Sequence, residues 1–212
     1  MTAIIVERGP LWGRTPASQE RRRSILMAGK HLFFEHGYQL ASIDRIAEAA
    51  GTTKRTVYDH FGSKEALFAE VIAFGCRQFV ELLPAPEDLP IAPAEGLRAF
   101  VERLGQLLAR PEIIRFQRLI IAEAERHPEF SRVLHETALL GAEQRLADYL
   151  SACVADGRLP AQDTDQAARI VLDLTVGGAR LRSLMAIDKA APEAENSAAM
   201  DLAVAVIERR RP

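Results

Sequence analysis

Apolar residues recur along this chain at helical spacing, and no stretch shows the strict alternation that marks a half-buried strand. A first helix is predicted from Ser18 to Gly37, with Ile25, Ala28, Leu32 and Phe33 on its inner face. Two short helices follow. In the first, Ser42 caps the free N–H groups, Asp44 sits in the positive first turn, and Ile43, Ile46, Ala47 and Ala50 form one apolar face. Gly51 supplies the left-handed backbone that ends it, and Thr52 or Thr53 caps the next helix, about Lys54 to Phe61. A fourth helix starts from a Ser63 cap, with Glu65 complementing its dipole, and carries Leu67, Phe68, Val71, Ile72 and Phe79 toward Leu83.

The Pro-rich segment 84–96 ends that helix. Beyond it the pattern predicts helices over 97–110, 112–126, 128–156, 164–187 and 193–210, broken at Pro111, at His127-Pro128, at 157–160 and at Pro192. The expected fold is therefore all-α: a three-helix head containing a helix-turn-helix, a linking helix, and a C-terminal helical bundle. The expected division is 1–17 as a flexible arm around Trp12, 18–62 as the head, and 63–212 as a body for ligand binding and dimerisation.

The helix from Lys54 to Phe61 differs from its neighbours in chemistry. Only Val57 and Phe61 are inward positions, which leaves Lys54, Arg55, Thr56, Tyr58 and His60 on or near the outward side. Such a face suits the major groove of double-stranded DNA. Lys54 and Arg55 stand at the helix N-terminus, the end that penetrates the groove, and an arginine there can bind guanine O6 and N7 with both arms. Thr56 can meet a thymine methyl or a phosphate, while Ser42, Thr53, Tyr58, His60 and Lys64 carry donors suited to phosphates. Each of these taken singly also reads as an ordinary solvated polar residue; it is the constellation that points to DNA. The run Arg21 to Arg23 reads either as a phosphate contact at the edge of the site or as a solvated face. Arg8 and Arg14 in the arm read either as a minor-groove reach or as part of a simple leader.

Composition adds less. The 212 residues are 48% hydrophobic and 26% charged, ordinary for a globular protein, and the net charge of −2 argues against indiscriminate polyanion binding. The charge is uneven: residues 1–70 hold 10 Lys and Arg against 8 Asp and Glu, and residues 71–212 hold 17 against 21, so the head side is cationic. Cys76 and Cys153 read as small buried apolar residues in a reducing compartment. No apolar run reaches about 18 residues and no leader pattern stands at the N-terminus, so a cytoplasmic protein with no membrane partner is expected.

These residues together resemble the DNA-binding region of the TetR/AcrR family of bacterial transcriptional regulators. The likeness runs from Ile43 through Ile46-Ala47 and Ala50-Gly51, then Thr56, Tyr58 and Phe61 as T-x-Y-x-x-F, then SKEAL from Ser63 to Leu67. Two positions depart from it. Arg55 stands where many relatives carry Gly or a small residue, and Asp59 places an anion near the phosphate-contact candidates, either turned from DNA or paired with Arg55 one turn away. The resemblance implies a repressor that binds an operator as a homodimer and is released by a small effector. The stretch IIRFQRLIIAEAERHPEF at 113–130 and GRLP at 157–160 look like regulators near multidrug-efflux operons, which implies an apolar or amphipathic compound.

The body's last two predicted helices carry Ile170, Val171, Leu174, Leu181, Leu184, Leu202, Val206 and Ile207 over an arc wide enough to be buried on two sides. That arrangement fits a symmetric dimer, with Gly177-Gly178-Ala179 allowing close helix approach. The alternative is packing within one subunit. Candidate effector contacts are Phe79, Phe100, Leu104, Phe116, Ile120, Glu123, Leu146 and Tyr149, an apolar set with few polar groups, although such stripes also serve as plain core. No catalytic, cofactor or metal motif is expected. His135-Glu136 lacks a second His one turn on, Gly62-Ser63-Lys64 lacks the earlier Gly of a phosphate loop, and no Cys-His cluster has ligand spacing. A rival reading is a DNA-binding protein of the same fold that acts through protein partners rather than on transcription.

Overall fold

The computed structural model describes residues 15–187 and 193–208, with the side chains of 193–196 left out. The arm residues Arg8, Trp12 and Arg14, and the end of the last predicted helix, lie outside the described residues. Within them every regular element is helical. The first helix, α1 (Pro16–Leu40), begins earlier than its sequence pattern announces. The Thr15 hydroxyl accepts from Ser18 N at 3.2 Å, and Pro16 takes the first helical position, where its missing N–H costs no hydrogen bond. At Gly37 the backbone leaves the helix (φ 77°, ψ 170°), and the chain swings Tyr38 into the core.

The helix-turn-helix consists of α2 (Ile43–Ala49) and α3 (Lys54–Phe61), and α4 (Lys64–Glu81) leads into the body. The segment after it holds one short 3₁₀ turn, Pro86–Asp88. The body comprises α5 (Pro93–Leu108), α6 (Pro111–Ala122), α7 (Pro128–Leu134), α8 (Leu140–Ala155), α9 (Thr164–Leu172), α10 (Gly178–Leu184) and α11 (Glu193–Glu208). No helix among the described residues is long and apolar enough to cross a membrane.

Three details depart from the periodicity. The helix expected over 112–126 stops at Ala122. Glu123 N and Ala124 N bond three residues back, to Ile120 O and Ile121 O, and His127, facing Pro128, is pushed out of helical geometry (φ −135°, ψ 68°). The helix expected over 128–156 contains a π turn, His135–Leu139, that joins α7 to α8. A second π turn, Asp173–Gly177, joins α9 to α10. Hydrophobic periodicity does not register a single widened turn, because the helix axis continues through it.

A single apolar core runs from head to body. Ile25, Phe33, Ile43, Ile46, Val57 and Phe61 close the head against Leu67 and Phe68 of α4. Phe68 then meets Phe130 of α7 edge-on, at 4.8 Å between ring centroids, so head and body share aromatic packing. Deeper in the body, Tyr149 of α8 donates its hydroxyl to Pro90 O at 2.8 Å, which pins the Pro-rich segment to the bundle.

That hydroxyl lies against Gly96 of α5, where an added methyl group would overlap the Tyr149 ring and oxygen. Gly96→Ala should therefore cost about 1–3 kcal/mol through overpacking and the displaced hydrogen bond. Gly105→Ala on the same helix meets nothing within 4 Å and should be neutral or stabilise by about 0.5–1 kcal/mol. Urea unfolding of the two variants against the parent checks both signs.

Candidate nucleic-acid interface and body cavity

Side-chain caps position the interface. Ser42 accepts from Arg45 N at 3.2 Å to start α2, Thr53 accepts from Thr56 N at 3.2 Å to start α3, and Ser63 accepts from Ala66 N at 3.0 Å to start α4. Between α2 and α3, Gly51 adopts φ 62°, which an L side chain disfavours. Val57 and Phe61 are buried under α3, while Lys54, Arg55, Tyr58 and Asp59 are exposed and Thr56 and His60 are partly so. The sequence-predicted contact residues thus share one outward surface, with Ser42 at the start of the supporting helix and Lys64 just past the end of α3.

The members of this surface are not equally free. The Lys54 ammonium bonds Asp44 Oδ2 at 2.9 Å, tying the two short helices together, and this carboxylate raises the lysine pKa. Thr53 and Thr56 share a hydroxyl contact of 2.9 Å. Lys64 donates to Gln39 O at 3.2 Å and lies 4.6 Å over the Tyr38 ring; burial there lowers its pKa. Burial, and then the neighbouring Arg22 guanidinium, lower the His60 pKa. Arg55 is exposed and, among the described residues, forms no ion pair, with Asp59 or otherwise.

The Arg21 to Arg23 run divides. Arg21 donates to Gly51 O at 3.1 Å, at the turn itself. Arg22 donates to His60 O at 2.6 Å, approaches Glu70 Oε1 at 3.3 Å and stacks 4.1 Å over the Phe61 ring. Both guanidiniums brace the helix-turn-helix, Arg22 from a partly buried position and Arg21 from the surface, and Arg23 is exposed as well. Arg45 on α2 is also an exposed cation of the head, and sequence reasoning passed over it because α2 reads as a support helix.

The body holds a half-open cavity of about 120 Å³ with a mainly apolar wall. Phe79, Leu104 and Phe116 stand in that wall. The structure does not bring the other five candidates there. Phe100, Ile120 and Leu146 are fully enclosed by core packing, and Tyr149 is held under the Pro-rich segment. Glu123 is buried at the seam between head and body, where it accepts from Gln39 Nε2 at 2.7 Å. The polar wall residues Gln117, Glu143, Asp173 and Arg180 escaped sequence reasoning. For Gln117 a signal existed: it is the amide on the otherwise apolar inner face of the α6 run IIRFQRLII. Cys76 also lines the wall; burial pushes its thiol up to about 12, and both cysteines are buried and unlinked.

Both regions match known sequences. Residues 25–71 match the bacterial regulatory proteins of the TetR family, and residues 95–210 match the C-terminal domain of AefR-like transcriptional repressors. The chain belongs to the TetR family of transcriptional regulators, a DNA-binding family rather than an enzyme family. The transcriptional repressor AcnR of Corynebacterium diphtheriae is 29% identical over 119 residues, 56% of this chain and 62% of AcnR. The transcriptional activator FasR of Mycolicibacterium smegmatis is 42% identical over 94 residues, 41% of this chain and 43% of FasR. The chain thus spans less than two thirds of these curated relatives. A solved structure, the flavonoid-responsive regulator FrrA, superposes with a TM-score of 0.76 at 29% identity, covering 91% of this chain and all of FrrA.

Three substitutions separate the roles on the head. Arg55→Ala should cost about 1–3 kcal/mol at one base pair and relax preference there, and Lys64→Ala should weaken all sites alike and flatten the salt slope by about one phosphate. Arg22→Ala should lower folding stability by about 1–3 kcal/mol and leave the salt slope of the folded fraction unchanged. Titrations of duplex DNA across a salt series, with urea unfolding alongside, distinguish the three; a slope change for Arg22→Ala equal to that of Lys64→Ala would refute the internal role.

Proposed function

We propose that the protein is a homodimeric repressor that reads a pseudo-palindromic operator through α3 of each subunit and releases it when a small apolar or amphipathic effector fills the body cavity. Residues 18–62 serve as the reading head and 63–212 as the effector and dimerisation body. The observation that carries this reading is the outward face of α3, where Lys54, Arg55, Thr56 and Tyr58 stand opposite the buried Val57 and Phe61.

Dimerisation is supported by the way the apolar arc divides. Val171 and Ile207 are buried within the subunit, while Ile170, Leu174, Leu181, Met185 and Leu202 are exposed on the same pair of helical segments, alongside exposed Gly177, Gly178 and Ala179. An aromatic effector is supported by Phe79 and Phe116 in the wall and by the flavonoid response that FrrA's name records.

Release works as a population shift. The cavity wall takes Gly75, Cys76 and Phe79 from α4 and Ile113, Phe116 and Gln117 from α6. Both helices reach the head: α4 begins at the Ser63 cap beside α3, and α6 stacks Phe116 on Phe34 of α1 at 4.9 Å and ends near the Glu123–Gln39 bond. An effector that favours another setting of α4 and α6 changes the separation of the two α3 helices. A coupling of about 1–3 kcal/mol lowers DNA affinity roughly 5- to 150-fold.

Selection of random duplex DNA by the purified protein at near-physiological salt is expected to enrich two inverted half-sites whose centres are roughly 34–36 Å apart. A dimer, shown as such by sedimentation, that enriches no paired site would overturn the operator reading.

A further inference from the structure

We propose that the cavity takes an effector whose apolar, aromatic body carries an anionic oxygen group, and that Arg180 and Gln117 read that group. The inference rests on the cavity being the effector site and specifies its ligand class. Arg180, on α10, is partly buried in the wall, and its Nε donates to the Gln117 Oε1 of α6 at 2.8 Å. Gln117 is buried to 4% exposure, so its amide is fixed in place and directs the guanidinium.

The other charges of the wall leave Arg180 without a counter-ion. Glu143 faces Arg169, with Nε to Oε2 at 3.5 Å, and Asp173 is exposed. Among the described residues no carboxylate lies within 4 Å of the Arg180 guanidinium. Its terminal nitrogens and the Gln117 Nε2 have no hydrogen-bond acceptor there either. Burial also lowers the arginine's pKa. A partly buried cation without a counter-ion gains from an anion brought into the cavity, and a guanidinium fork matches a carboxylate or sulfonate edge.

Backbone geometry at the site points the same way. The two π turns of the described body both reach the cavity: Ala138 and Leu139 from one, and Asp173, Val176 and Gly177 from the other. Arg180 follows the second turn by three residues. Such widened turns recur where helices shape a ligand site. The combination gives an apolar chamber with Phe79 and Phe116 on its wall and a cationic, amide-backed reader.

Two dyes with one ring system test the class: 1-anilinonaphthalene-8-sulfonate and the uncharged N-phenyl-1-naphthylamine, which differ only in the sulfonate. Wild-type protein should bind the anionic dye about tenfold more tightly, the effect of one charge-assisted contact. Arg180→Gln should bring the two affinities to within about twofold while leaving the neutral dye unchanged, and Arg180→Lys should retain part of the preference. Ala138→Phe, which fills the cavity, should abolish high-affinity binding of both dyes, with the helical circular dichroism retained. Equal wild-type affinities, both lost in Ala138→Phe, would overturn the anionic class and leave the cavity as the effector site. Dye binding that Ala138→Phe leaves untouched, or no binding at all, would overturn both. If Arg180→Gln fails to fold, the wild-type ratio together with Ala138→Phe decides the matter.

Discussion

Tyr38 sits where head and body meet, and the placement of the reading head depends on how that ring is held. Its hydroxyl donates to Glu65 Oε1 at 2.8 Å, which fixes it to the first turn of α4. Its face packs near Phe33 of the head and Phe68 of α4, and edge-on to His127 and Phe130 of the body, with centroids 5.1 and 5.2 Å away for the last two. The Lys64 ammonium covers it from the α3 side. Burial and the Glu65 bond raise the phenol's pKa far above the physiological range, so the hydroxyl remains a donor. Gly37 makes this arrangement possible, since its positive φ turns the end of α1 inward.

From that seam the structure divides into a part that is stiff and a part that is shaped. The head is small, so internal donors supplement its apolar core: Arg21 and Arg22 satisfy the carbonyls of Gly51 and His60 at either end of α3. The body has core to spare, yet interrupts two of its long helices with π turns at one chamber. The irregularity is concentrated where wall residues from α4 to α10 converge. Arg118 of α6 further ties that helix to the end of α10 by donating to Ser183 O at 2.7 Å and Leu184 O at 3.0 Å.

The sequence was most readable where local chemistry decides the conformation. The caps at Ser42, Thr53 and Ser63 and the left-handed Gly51 act over three or four residues, and the structure puts each of them in the expected role. Helix order was readable for a related reason, because one apolar stripe suffices to mark a helix. What an apolar residue touches was not. Phe100 and Phe116 look alike along the chain, yet one is enclosed by core and the other borders a cavity, a difference fixed by tertiary packing. The fate of Arg22 against that of Arg23 was hidden for the same reason, since a cation's partner lies 38 residues away at His60. Glu123 drew attention as a polar group in an apolar run, but its partner Gln39 lies in the head, 84 residues distant.

The bond between Lys54 and Asp44 couples the two short helices through an exposed ion pair. Both partners are largely exposed, so water and salt screen the pair, and on the reading proposed above a DNA phosphate would compete with Asp44 for the lysine. Asp44, once released, still faces the positive first turn of α2, which softens the loss without removing it. The pair thus holds α2 and α3 in register while leaving the ammonium open to exchange, so the same lysine can serve the fold in one setting and a partner in another.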